Sequence, residues 1–284
     1  MKNKTVVITG ANSGIGYVTA LEIAKLGAEV VMVCRNKDKA EAARQEIIKK
    51  SSNTAILLKI ADLSSQKQIR LLAEEIKKEY PIIDVLINNA GVLVPERRES
   101  EDGIELTWAT NHLAYFLLTN LLLDNLKAAP AARIVNVASE VQQIGNIYWD
   151  DIGLTKSYTP LKAYAQSKLA NIMFSNELAK RLEGTKVTTN ALHPGAVATN
   201  FGSDGKGLIA WLFKTFRWSL LSAEKGAETS IWLATSPQAE GLTGQYFTKK
   251  KAIKAKTIAY SKEALKRLWE LSEQMTNLVQ GEAA

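Results

Sequence analysis

Short apolar, β-branched runs alternate with longer stretches of helical period along the chain. The short runs fall at 5–9, 29–34, 55–60, 83–88, 132–138, 187–192 and 243–248, each bounded by polar or turn residues, and predict seven strands. The helical stretches lie near 14–26, 37–50, 65–79, 102–126, 160–183 and 223–236, with a last helix near 262–279. Strand and helix in alternation predict βαβ crossovers, and therefore a parallel sheet covered on both faces. The expected fold class is α/β, a doubly wound parallel sheet of about seven strands flanked by helices. No repeat, low-complexity segment or linker divides it, so residues 1–284 are read as a single domain. The only long stretch without clear assignment is 197–222, between the sixth strand and the next helix.

Composition narrows the function classes. The formal charge of +7 comes from Lys and Arg interleaved with Glu on helical stretches, as in Glu74-Glu75-Ile76-Lys77-Lys78-Glu79, a pattern of solvated helix faces rather than of a nucleic-acid platform. The densest basic run, Lys249-Lys250-Lys251 with Lys254 and Lys256, lacks interleaved aromatics and is read as a surface loop. The single cysteine, Cys34, cannot form an internal disulfide, and it follows the apolar run Val30–Val33, where a buried inert thiol is expected. A cytoplasmic protein fits that usage. No stretch reaches the ~18 uninterrupted apolar residues of a membrane span, and the apolar run after Lys4 is too short for a secretion signal. His112 and His193 with one distant cysteine make no metal-ligand set, so no metal is expected.

The first strand runs into Thr9-Gly10-Ala11-Asn12-Ser13-Gly14-Ile15-Gly16 immediately before a helix. Glycines there allow a tight turn and a close backbone approach, and free N–H groups at a helix N-terminus attract pyrophosphate. Together with Asn88-Asn89-Ala90-Gly91 after the fourth strand, this loop resembles the short-chain dehydrogenase/reductase family. Asn111, Ser139, Tyr164-Ala165-Gln166-Ser167-Lys168 and Pro194-Gly195 continue the match in order, so it covers nearly the whole chain. The resemblance implies a Rossmann-like sheet of seven parallel strands, a nicotinamide dinucleotide, and a homodimer or homotetramer. Asn111-His112-Leu113, Trp149-Asp150-Asp151 and the residues around Tyr164 are similar to the retinol-dehydrogenase-like branch, with Ala114 where relatives often carry glycine. The N-terminal anchor of many animal members is not seen, which implies a soluble, microbial type of relative.

The resemblance assigns the cofactor to Gly10, Asn12, Ser13, Gly14, Ile15 and Gly16, to Asn89, Ala90 and Gly91, and to Pro194, Gly195, Val197 and Thr199. It adds Asp62, expected on the adenine amino group, with Leu63, although Asp62 could also simply cap the next helix. The second strand ends in Cys34-Arg35-Asn36-Lys37 with no acid to bond a ribose 2′-hydroxyl. Arg35 offers donors to a 2′-phosphate, with Asn36 beside it and Lys39 as a second charge, so NADP(H) is the expected cofactor.

Tyr164 and Lys168 are four apart in a predicted helix and share a face. An ammonium near a phenol lowers its pKa towards the working range, so Tyr164 is the expected general acid/base, with Lys168 also on the nicotinamide ribose by resemblance. Ser139, at the end of the fifth strand, is placed to hold the substrate oxygen, and the counterpart of Asn111 holds a water of the proton relay. His112 and His193 are read as structural.

The expected activity is interconversion of an aldehyde or ketone with its alcohol. The stretch 207–218, inside the unassigned 197–222, lies where relatives carry a substrate lid, and its apolar character predicts a bulky apolar substrate. A subunit interface or a peripheral membrane contact through 206–218 are the alternatives for it. Two other functions stay open. A non-catalytic dinucleotide-sensing protein would typically lose the Tyr-Lys pair that this chain keeps. A carbon–carbon double-bond reductase of the protochlorophyllide-reductase type would want a thiol donor, and Cys34 lies in the second strand.

Overall fold

The structure, a computed structural model, describes residues 1–195 and 222–278. The expected lid, apart from Ser222, and the candidate cofactor residues Val197 and Thr199 lie outside the described residues.

The strands are β1 Thr5–Thr9, β2 Glu29–Cys34, β3 Ile56–Ile60, β4 Val85–Asn88, β5 Arg133–Val137, β6 Thr188–Leu192, β7 Tyr246–Thr248 and β8 Lys251–Ile253. They form one sheet in the order β3-β2-β1-β4-β5-β6-β7-β8, parallel throughout except for the antiparallel β7–β8 pair. The chain winds outward from β1 to β3 and returns to β4 beside β1. Such a reversal opens a crevice at the carboxyl ends of the strands, where ligands of open α/β sheets bind.

Alternation along the strands builds two cores. Val7, Val31, Leu86 and Ile134 pack to one face with α3 (Gln66–Glu79), α5 (Ala114–Leu121) and α7 (Pro160–Arg181). Val6, Ile8, Val30, Met32, Val85, Ile87 and Val135 pack to the other with α1 (Gly14–Lys25), α2 (Lys37–Ser51) and α8 (Ala223–Thr235). In α3 the buried positions Ile69, Leu72, Ala73 and Ile76 keep the i, i+3, i+4, i+7 stripe that a helix on a sheet requires. The last helix, α9 (Lys262–Thr276), stops at Asn277, whose φ of 48° is left-handed.

Two expectations are corrected. The basic run read as a surface loop contains β8, an edge strand whose three residues are all exposed. Its turn is Lys249-Lys250, with φ of 48° and 63°, a conformation usually marked by Asn or Gly. The helix expected over 102–126 begins only at 106, where the buried Glu105 carboxylate accepts the N–H groups of Thr107 and Trp108 at 2.8 and 2.7 Å. It then runs as α4 (Leu106–Trp108), a π-helical segment (Ala109–Leu113), α5, and α6 (Leu123–Lys127). The π segment carries Asn111, and such widened turns are frequent at functional sites.

Candidate active site

The glycine loop is built as a phosphate cradle needs. Gly10 and Gly14 have φ of 66° and 54°. A Cβ on Gly16 would sit 2.2 Å from the Gly10 carbonyl oxygen and 2.5 Å from Asn89 Nδ2, so only glycine fits there. Ser13 occupies the N-cap of α1 in an extended conformation without a side-chain cap bond, which leaves first-turn N–H groups for an anion. Asn12 and Ile15 are half-buried in the same turn. These features fit the pyrophosphate of a dinucleotide.

The loop after β4 is bound to this cradle. Asn89 Nδ2 donates to the carbonyl oxygens of Thr9 (2.8 Å) and Gly10 (3.2 Å), while Thr9 Oγ1 accepts the N–H groups of Asn89 (2.9 Å) and Ala90 (3.0 Å). Thr9 was not among the residues expected at the site; its place as the last residue of β1, ahead of the first glycine, is the signal that could have found it. Cys34 is buried, and its thiol accepts the backbone N–H groups of Ala11 and Asn12 while burial pushes its pKa up to about 11. It is the inert thiol expected.

At the ends of β2 and β3 the roles divide. Arg35 is 69% exposed in its side chain and reaches only to 4.0 Å from Asp62 Oδ2. Asn36 caps α2, accepting the Lys39 N–H at 2.9 Å, so these two build the helix start while the Lys39 side chain projects from it. Asp62 Oδ1 accepts both N–H and Oγ–H of Ser64, at 2.9 and 2.8 Å. The cap of α3 is Ser65, not Asp62, and the Leu63 side chain is buried in the core.

The proposed catalytic side chains converge at the ends of β4 and β5. Thr159 caps α7 through the Lys162 N–H, with Pro160 in its first turn, and the helix then presents Tyr164 and Lys168 one turn apart. Lys168 is buried, and its Nζ donates to the Val137 carbonyl oxygen at 2.8 Å. Tyr164 is half-buried and hydrogen-bonded to the side chain of Ser139, the residue after Ala138 at the end of β5. The Ser139 carbonyl accepts the Tyr246 hydroxyl at 3.3 Å. Asn111 ties the loop after Gly91 to α7: its Oδ1 accepts the Val92 N–H (2.7 Å), and its Nδ2 donates to Val92 O (2.9 Å) and Ser167 Oγ (3.1 Å). After β6, Gly195 has φ of 84° and donates its N–H to His193 Nδ1 at 3.2 Å. His193 thus shapes the Pro194-Gly195 turn. His112 is buried in the core, where its Nε2 bonds Ser272 Oγ at 2.9 Å.

The electrostatics correct one expectation. Burial pulls the Lys168 ammonium down to about 7, and burial pushes the Tyr164 phenol well above its usual range against the opposing hydrogen bond from Ser139. The ammonium lies 5.6 Å from the Tyr164 ring centroid and bonds a backbone carbonyl, so in this structure desolvation governs both groups and no lowering of the phenol by Lys168 is seen.

Comparison with known proteins agrees with this geometry. The sequence profile of the short chain dehydrogenase family matches residues 4–206. Human retinol dehydrogenase 14 is 41% identical over 295 residues, spanning 98% of this chain and 88% of its own length. Human retinol dehydrogenase 12 is 42% identical over 272 residues, spanning 96% and 86%. Among solved structures, an uncharacterized protein from Mycobacterium paratuberculosis superposes with a TM-score of 0.80 at 33% identity, over 97% of this chain and 94% of that one. The fold also matches L-sorbose reductase from Gluconobacter frateurii, complexed with NADPH and L-sorbose, with a TM-score of 0.70 at 23% identity over 87% and 95%. The chain belongs to the short-chain dehydrogenase/reductase family of oxidoreductases and, within it, to the retinol-dehydrogenase-like branch.

Proposed function

We propose that this chain is an NADP(H)-dependent oxidoreductase that interconverts an aldehyde or ketone with its alcohol, acting on a bulky apolar substrate. The observation that carries the reading is the Tyr164–Ser139 hydrogen bond at the carboxyl end of β5, with Lys168 one helical turn away. The bound nicotinamide supplies or accepts the hydride. In reduction, the Tyr164 hydroxyl gives its proton to the substrate oxygen while the Ser139 hydroxyl donates a second hydrogen bond to it. In oxidation the proton returns to Tyr164. Lys168, as an ammonium, would hold the nicotinamide ribose, and Asn111 holds a water of the proton relay to that lysine.

Arg35 supports NADP(H) over NAD(H), since it stands exposed directly after β2 and its neighbours Cys34, Asn36 and Lys37 include no acid. NADPH complexes of fold relatives such as L-sorbose reductase are consistent with this. The name retinol dehydrogenase, carried by relatives about 40% identical, supports an apolar substrate. Cys34 beneath the glycine loop offers no thiol donor for a double-bond reductase. Among the described residues no helix is long and apolar enough to cross a membrane; we read the protein as cytoplasmic and homodimeric or homotetrameric.

The test is NADPH and NADH oxidation by the purified protein across retinal, long-chain aldehydes, polycyclic ketones and small polar carbonyls. Preference for NADPH and for the apolar members is expected. A preference for small polar carbonyls would overturn the substrate reading, and equal use of both cofactors would overturn the NADP(H) assignment.

A further inference from the structure

The Lys168 Nζ lies over two tyrosine rings, not one. It is 5.6 Å from the centroid of Tyr164 and also 5.6 Å from that of Tyr115. Tyr115 stands in α5, four residues beyond Asn111, and is fully buried. Its hydroxyl donates at 2.8 Å to the carbonyl oxygen of Ala90, in the loop that follows β4. One side chain therefore touches both the loop bound to the glycine cradle and the ammonium one turn from Tyr164.

An ammonium taken out of water needs compensation. Lys168 has one carbonyl dipole, from Val137, and the two ring faces. The titratable groups facing it are Tyr164 on its own helix and Tyr115 on α5; β5 offers only the Val137 carbonyl, and the loop after β4 brings Gly91 and the Asn111 amide close. Among the described residues no acid contributes to its ionisation. Tyr115 stays a neutral phenol, because burial and the nearby Tyr164 push its pKa well above the usual tyrosine range. A ring face attracts a cation through its quadrupole, and the attraction strengthens where water is excluded.

We propose that Tyr115 is a positioning residue with two separable roles: its ring holds Lys168 in the charged form, and its hydroxyl anchors Ala90 and with it the dinucleotide loop. The inference rests on the proposed function in that the chemistry there uses Lys168 as an ammonium.

The full-length variants Tyr115→Phe and Tyr115→Leu separate the roles. The Phe variant keeps the ring, so its alkaline limb in the pH profile of kcat/KM for carbonyl reduction should match the wild type, while its KM for NADPH rises several-fold. The Leu variant loses the ring, so the alkaline limb should move to lower pH by roughly half a unit or more. Melting temperature against pH gives a second readout that needs no turnover. Stability gained on deprotonating Lys168 should begin to rise at lower pH in the Leu variant than in the wild type or the Phe variant. Tyr115→Met replaces Leu if the latter does not fold. An unmoved limb and an unmoved melting profile in the ring-less variant, or equal shifts in Phe and Leu, would overturn the ring's role; an unchanged NADPH KM in Phe would overturn the anchor. If the wild type turns over no carbonyl, the functional reading fails while the melting profiles still decide the ring's role.

Discussion

The Lys168 ammonium is joined to the Val137 carbonyl by a 2.8 Å hydrogen bond inside the protein, and that bond does not offset the lysine's burial. Its pKa falls from 10.5 to about 7 on folding. Between these values the unfolded chain binds a proton that the folded chain does not, so stability rises with pH across that window. Below pH 7 the cost is fully present, at most about 5 kcal/mol on the pKa difference. Lys168→Met should therefore raise the melting temperature by several degrees at pH 6, with a gain that shrinks towards pH 10, while turnover is lost. Thermal melts across that pH range check it; a variant less stable than the wild type at pH 6 would contradict it.

Arg35 is exposed at the end of β2, its nearest carboxylate, Asp62, at 4.0 Å. Hydrogen bonds to charged groups contribute about 1.5–3 kcal/mol, so Arg35→Ala should weaken NADPH use roughly 10- to 150-fold and leave NADH use nearly unchanged. Steady-state kinetics with both cofactors distinguish this from a structural role, which would lower both equally.

Gly16 and Gly184 make a controlled pair. A Cβ at Gly16 would collide with the Gly10 carbonyl oxygen at 2.2 Å, whereas at Gly184, with φ of 83°, a Cβ meets nothing within 4 Å. Gly16→Ala should displace the cradle and lower dinucleotide affinity at least ~10-fold, since the backbone donors of the loop lose their alignment. Gly184→Ala should lower stability by about 1 kcal/mol and leave affinity alone. Calorimetric titration with NADPH, set beside a melt of each variant, reads both effects; comparable affinities would contradict the cradle.

The fold was legible where local pattern and tertiary structure agree. The run at 29–34 is β2 to the residue, because its segment Val30–Cys34, buried between two neighbouring strands, is apolar without interruption. The π-helical segment was not legible. From Ala109 to Leu121 every residue is buried, so the hydrophobic period carries no mark of a widened turn. The start at Glu105 was missed because its capping carboxylate looks like any acid of a solvated first turn until its burial is known. The β7–β8 hairpin was missed because lysines fill its two left-handed positions. In the candidate site, Tyr164, Lys168 and the glycines were named from the family resemblance, which short local motifs carry. The partners of Lys168 were not readable, since Val137 lies 31 residues away and Tyr115 reaches it only through the packing of α5 against the loop after β4.

The central claim, that Tyr164 moves the proton of a carbonyl–alcohol interconversion, is tested most directly by Tyr164→Phe. The phenyl ring keeps the packing of α7 and loses only the hydroxyl that bonds Ser139. Turnover of the best carbonyl substrate with NADPH should fall roughly 10²-fold or more, the usual scale for a positioned acid/base, with melting temperature and NADPH affinity close to wild type. Turnover within a few-fold of the wild type in a folded, NADPH-binding variant would contradict the claim.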